Sequence, residues 1–148
     1  MKKLILITTM LLSLACVQAE NYTQKWNEVY QRTEFYDSYG RLIGYAKYND
    51  VYKRLEYFDK YGHLIKTEQQ NNVYNRVDVN DSQGRLQSTR QYNNMYNREE
   101  IKDDYGRVVG YKKWNDVYSR YDVFNANGYL VGYYQYNDVY KRWEYHEN

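Results

Sequence analysis

YNDVYKR stands at Tyr48–Arg54 and returns unchanged at Tyr136–Arg142. Variants of it open at Trp26 (WNEVYQR), Gln70 (QNNVYNR), Tyr92 (YNNMYNR) and Trp114 (WNDVYSR). The starts at 26, 48, 70, 92, 114 and 136 are 22 residues apart, with no insertion or deletion. A fixed period of this size is the mark of one supersecondary unit duplicated along a chain. Counted from each start, position 2 is always Asn, position 5 always Tyr and position 7 always Arg. Position 9 is always acidic, position 15 always Gly (Gly40, Gly62, Gly84, Gly106, Gly128), and position 17 Leu or Val.

The unit reads as two strands, because its segments are short, aromatic and β-branched, and are bounded by turn residues. Asp37-Ser38-Tyr39-Gly40 and its copies suit a type I turn closed by a left-handed glycine bulge. That turn predicts position 11 facing 17, 9 facing 19 and 7 facing 21, with positions 10 and 18 meeting on the other face. Phe35 is then expected near Ile43, Tyr57 near Ile65, Ile101 near Val109 and Val123 near Val131. Arg at position 7 and the acid at position 9 share a face. This gives repeated structural ion pairs such as Arg54 with Glu56, Arg98 with Glu100 and Arg142 with Glu144. The second connection, Asn-x-Val-Tyr, is expected to hold an odd loop or a bulge, since otherwise successive units would face opposite sides.

The fold class expected is all-β: an antiparallel meander of about 12 strands built from 22-residue hairpin repeats. A parallel β-solenoid is the alternative. In a solenoid the six arginines would stack about 4.8 Å apart, whereas in a meander an intervening strand separates them by about 10 Å, near a Debye length. The chain begins within the second strand of one broken unit and ends within the first strand of another. An extended twisted sheet with an unpaired strand at each end is the expectation, and those edges, which no proline blunts, could support self-association.

Met1-Lys2-Lys3 followed by apolar Leu4–Leu14 and by Val17-Gln18-Ala19 reads as a secretory signal peptide over residues 1–19. It leaves a single domain from residue 20 to 148. Ser13-Leu14-Ala15-Cys16 partly matches a lipoprotein box, so a lipid anchor at Cys16 is the alternative. The 21 basic residues include Lys2 and Lys3, so cleavage leaves 19 basic against 19 acidic residues. No global field then draws the protein to nucleic acid. The lone cysteine falls in the signal region, which excludes disulfides and thiolate chemistry from the mature chain. No other stretch is long and apolar enough to span a bilayer. Only 20 Val, Leu, Ile and Met follow residue 19, against 28 aromatics. The core must therefore rest on aromatic and cross-strand packing.

At EFYDSYGRLIGY (Glu34–Tyr45) and EYFDKYGHLI (Glu56–Ile65) the unit resembles the tyrosine-aspartate (YD or RHS-type) repeat. Tyr36, Asp37, Gly40, Arg41 and Leu42 match its Tyr-Asp-x-x-Gly-Arg-Leu pattern, while Asp59, Gly62 and Leu64 keep the frame beside Phe58 and His63. Hairpin repeats of the MORN type are a second, weaker likeness. The resemblance implies antiparallel strands and surface carbohydrate or cell-contact roles. The shell-forming and toxin functions of large members are not carried over, since the chain is too short to enclose a cargo.

His63 and His146 are too few for a convincing metal site, so no metal and no cofactor are expected. Of the paired carboxylates, Glu99-Glu100 point to opposite faces of a strand and Asp103-Asp104 sit at a turn. A carboxylate repeated six times beside an arginine is poorly suited to be a unique catalyst, and no enzyme activity is expected. The function expected is an exported β-repeat protein serving as a structural or protein-interaction surface at a bacterial envelope or outside the cell. The alternative is a carbohydrate-binding module, with Trp26, Tyr48, Tyr92, Trp114, Tyr136, Tyr52 and Tyr118 stacking on sugars. Whether those rings are exposed or packed on one another decides whether they are free to bind.

Overall fold

A computed structural model describes residues 21–148. The signal peptide read over residues 1–19 and the lipid anchor read at Cys16 lie outside the described residues. Twelve strands follow one another: β1 (Tyr22–Asn27), β2 (Arg32–Asp37), β3 (Leu42–Asn49), β4 (Arg54–Asp59), β5 (Leu64–Asn71), β6 (Arg76–Asp81), β7 (Leu86–Asn93), β8 (Arg98–Asp103), β9 (Val108–Asn115), β10 (Arg120–Asn125), β11 (Leu130–Asn137) and β12 (Arg142–Glu147). Each pairs antiparallel with its sequence neighbours, so the meander is right and the solenoid is excluded.

The sheet is not open. β12 pairs with β1 through Tyr22↔Tyr145, Thr23↔Glu144 and Gln24↔Trp143, closing a twelve-stranded barrel. The two exposed edges expected from the sequence, and the edge-to-edge self-association built on them, lose their basis, because closure pairs both end strands. The reason lies in the register. Tyr145 occupies position 10 of its unit and Tyr22 position 19 of a preceding partial unit. Position 10 faces position 19 in every complete unit as well, as in Phe35↔Gly44, Tyr57↔Lys66 and Ile101↔Gly110. The two broken units at the ends of the chain therefore make up one whole unit, the sixth of the ring. Phe35 faces Gly44 and Gly44 faces Asp59, the equivalent of Asp37. Crossing one unit thus advances two residues, and six units give a shear equal to the strand number. This ratio tilts the strands by about 36°, as in an eight-stranded barrel of shear 8.

The Asp-x-x-Gly turns form as the sequence requires. Gly40 has φ 78° and its N–H donates to the Asp37 carbonyl at 3.0 Å. Asp37 Oδ1 accepts from the backbone N–H groups of Tyr39 and Arg41, both at 2.9 Å. The carboxyl is held below its usual range, chiefly by the Arg41 N–H. The register beyond the turn differs from the expectation. Position 11 faces 17, as in Tyr36↔Leu42, but a β-bulge then makes 10 face 19, 9 face 20 and 8 face 21. Ile43 and its equivalents are the extra residues of the bulge rather than partners of position 10. Ile43 and Val131 still pack on the core, whereas Ile65 is half-exposed.

The bulge also corrects the second expectation. The Asn-x-Val-Tyr connection is a four-residue loop closed by Asn27↔Arg32, with no bulge of its own. The odd residue that keeps successive units facing the same way sits in the other hairpin. In every loop the fourth residue is left-handed without being glycine: Gln31, Lys53, Asn75, Asn97, Ser119 and Lys141 have φ of 49–53°. Asn27 explains its own repetition, since its Oδ1 accepts from the N–H groups of Val29 (3.0 Å) and Tyr30 (3.1 Å).

Positions 1, 8, 10, 19 and 21 face inward, and positions 2, 7, 9, 20 and 22 face out. Only strands adjacent in the ladder approach each other at the backbone, so long side chains fill the interior from the walls. One side is aromatic: Phe35, Tyr57, Tyr134 and Tyr145 are fully buried, and the Tyr22 and Tyr134 hydroxyls lie 2.7 Å apart. Gly132 makes room there, because a Cβ would fall on the Tyr145 hydroxyl.

Candidate interaction surfaces

Six equivalent loops crown one end of the barrel. Their tips carry Val29, Val51, Val73, Met95, Val117 and Val139, each 83–86% exposed. The next residues, Tyr30, Tyr52, Tyr74, Tyr96, Tyr118 and Tyr140, are 55–61% exposed. Each of these rings lies against the arginine two residues on, as with Tyr52 and Arg54 (4.8 Å) and Tyr118 and Arg120 (4.7 Å). The cation holds the ring by one face and leaves the other to solvent.

Just inside the same rim sit the position 1 rings. Trp26, Tyr48, Tyr92, Trp114 and Tyr136 remain 41–54% exposed. Two of them pack edge-on against an aromatic residue at position 8, Trp114 on Tyr121 (4.8 Å) and Tyr136 on Trp143 (5.4 Å). The aromatic residues selected from the sequence thus gather at one mouth, partly packed and partly open. The apolar tips escaped selection, although Val or Met at position 4 of all six copies, in a loop, was the available signal.

The outer wall is a repeated polar clamp. Arg54–Glu56 (2.8 Å), Arg98–Glu100 (2.8 Å) and Arg142–Glu144 (2.9 Å) form it with their equivalents Arg32–Glu34, Arg76–Asp78 and Arg120–Asp122. The position 2 asparagine joins, as where Asn93 Nδ2 donates to Glu100 Oε1 at 3.1 Å. Where position 20 is tyrosine, the guanidinium is also stacked from the other side, Arg98 over Tyr111 at 4.0 Å. This wall is unlike the apolar band of a membrane-spanning barrel. No described helix is long and apolar enough to cross a membrane.

The opposite end carries the five glycine turns, with exposed Tyr39, Tyr61, Tyr105 and Tyr129. A shallow depression of about 460 Å³ lies beside it at the seam, lined by Asn21, Ser38, Tyr39, Glu147 and Asn148. His63 Nδ1 lies 2.9 Å from Asp59 in its turn, and His146 stacks on Tyr133. Among the described residues no three His, Cys, Asp or Glu side chains gather as metal ligands.

The interior holds what the sequence reading missed altogether. Adjoining Tyr57, Arg90 bonds Glu68 at 2.5 Å, Lys112 lies 3.3 Å from Glu99, and Lys66 lies 3.8 Å from Glu68. Burial lowers the Lys66 ammonium to about 8, against the pull of Glu68, and lowers Lys112 too. The network holds three cations and two carboxylates, with Lys66 also over the Tyr57 ring at 4.4 Å.

None of the known protein-family models matches the chain, and no curated protein matches it in sequence. The fold is similar to the X-ray structure of a protein from Arabidopsis thaliana, with a TM-score of 0.64 at 13% identity, over 86% of this chain and 80% of that one. At that identity the likeness is one of fold alone.

Proposed function

We propose that this chain is an exported, non-enzymatic β-barrel that acts as an interaction surface at a bacterial envelope or outside the cell. Its Asn-x-Val-Tyr rim makes the contact. The observation that carries the reading is the sixfold exposure of aliphatic tips that water disfavours. A duplicated unit that held its loops for turn geometry alone would tolerate polar residues at those tips. The resemblance to tyrosine-aspartate repeats, with their cell-contact roles, supports the same direction. Sedimentation with isolated bacterial envelopes tests it. The protein is expected to pellet with them, and a Val29→Ser/Val51→Ser/Val73→Ser variant to stay in solution. Tip-independent sedimentation, or none, ends the reading, and turnover of a substrate by the purified protein ends its non-enzymatic part.

The half-open rings of Trp26, Tyr48, Tyr92, Trp114 and Tyr136 favour a second reading, a carbohydrate module whose sugars stack at the mouth. A glycan array separates the two. Specific retention lost in Trp26→Ala and Trp114→Ala, but kept in the tip variant, selects the sugar.

A further inference from the structure

We propose that the Asn-x-Val-Tyr rim docks on the surface of a lipid bilayer, favouring zwitterionic headgroups; this rests on that rim being the contact surface. The ring closes after six units in a single register, so one unit is carried to the next by a sixth of a turn and nothing else. The six loop tips therefore lie in one plane across the barrel axis, and their exposures agree within a few per cent. A folded partner lacking sixfold symmetry would engage some tips and leave others in water. A planar, laterally uniform surface meets all six.

The chemistry along the axis follows the order found through a bilayer interface. Aliphatic Val29, Val51, Val73, Met95, Val117 and Val139 are outermost. Tyrosines, with Trp26 and Trp114 nearby, come next, and the arginine–carboxylate wall follows. Aliphatic groups seek acyl chains, Tyr and Trp rings sit at headgroup depth, and ion pairs stay in water. Sugars would stack on flat rings rather than on valine methyls, which sets the tips apart from the mouth.

The charge near the rim selects the lipid. Glu28, Asp50, Asp116 and Asp138 stand beside the tips, against Lys25, Lys47, Lys53, Lys113 and Lys141. The near balance provides none of the basic excess that anionic lipids attract.

Flotation with vesicles of pure phosphatidylcholine tests the proposal, using the chain from Glu20, which contains all twelve strands and their ladder partners. The protein is expected to float. Val51→Asp/Val117→Asp is expected to cut the floated fraction at least tenfold, and Tyr61→Asp/Tyr105→Asp, at the glycine-turn end, to leave it within twofold. Circular dichroism confirms that each variant folds. Absence of flotation overturns the proposal. So does flotation indifferent to the tips, or flotation that requires phosphatidylserine and vanishes in high salt. If neutral vesicles fail while envelopes still bind through the tips, the lipid falls and the interaction surface stands; if neither binds, both fall.

Discussion

Closure of the barrel rests on the one ladder that no turn links, and a disulfide across it tests closure directly. Thr23 and Glu144 face each other on the outer wall of that seam. Directly opposed residues of an antiparallel pair have Cα atoms about 4.5–5.5 Å apart, within the span a disulfide bridges. Thr23→Cys/Glu144→Cys, on a Cys16→Ser background, is the perturbation. Oxidation would close a loop of 121 residues (144 − 23), which the chain-entropy relation values at up to about 5 kcal/mol. The substitutions also remove the Glu144 contacts with Arg142 (2.9 Å) and Asn137 (3.2 Å), at a cost of about 1–2 kcal/mol. That loss is common to the oxidised and reduced forms and cancels when the two are compared. With a urea m-value of about 2 kcal/mol/M, the oxidised midpoint should lie about 2 M above the reduced one. The assay is urea denaturation followed by tyrosine and tryptophan fluorescence, with non-reducing electrophoresis to show the crosslink within one chain. Free thiols after oxidation, crosslinks between chains, or an unmoved midpoint would refute a closed seam and restore the open sheet.

Asn115→Ala removes the acceptor of the Val117 and Tyr118 N–H groups and the 2.7 Å bond to Asp122; urea denaturation should show a loss of about 1–2 kcal/mol. Lys53→Gly and Lys141→Gly, at φ of 52° and 53°, should each gain roughly 0.5–1 kcal/mol in the same assay by relieving a left-handed Cβ; a loss would mean the lysine side chains hold the loops. Lys66, lowered from 10.5 to about 8, destabilises the fold fully below about pH 8 and ceases to above its unfolded value, so stability should rise from pH 8 towards 10. Above pH 10 the trend reverses, because Tyr145, pushed up to about 12 by burial, resists an ionisation the unfolded chain accepts. Lys66→Met, which leaves Glu68 with Arg90, should shrink the rise between pH 8 and 10 to the part that Lys112, also lowered by burial, contributes, and should stabilise the protein at pH 7 by about 1–3 kcal/mol.

The strands were legible because each turn declares itself in local chemistry. Asp or, once, Asn at position 12 and Gly at position 15 define the glycine hairpin, and the repeated Asn at position 2 accepts two N–H groups in the other loop. The bulge at Ile43 was not legible. No turn residue marks its position, whose equivalents run Ile43, Ile65, Gln87, Val109 and Val131, and it is required only by a non-local condition, that face parity be preserved through all the units. Closure was written in the broken units at the two chain ends, Tyr22 continuing the register that Tyr145 begins. Recognising it needed the two-residue stagger that the bulge creates. The aromatic mouth was legible as a column of rings, but its position at one rim followed only from the inward face. The Lys66–Glu68–Arg90–Glu99–Lys112 network was not, because its members occupy positions 8, 19 and 21, which hold different residues in other copies.

That variation has a physical reason. The residues repeated without exception, Asn at position 2, Tyr at 5, Arg at 7, the acid at 9 and Gly at 15, belong to the outer wall and the turns. There each unit meets solvent and its immediate neighbours, so one solution serves six times. Inside, the units share one space. Six tyrosines at position 10 would collide or leave a hole along the axis, and six arginines at position 21 would bury uncompensated charge. Position 10 therefore runs Phe35, Tyr57, Val79, Ile101, Val123 and Tyr145, large against small. Position 21 places Glu68, Arg90 and Lys112 in succession opposite neutral Gln24, Ala46 and Tyr134. A repeated shell around a non-repeated filling follows from closing a ring, and an open row of the same hairpins would have had no need of it.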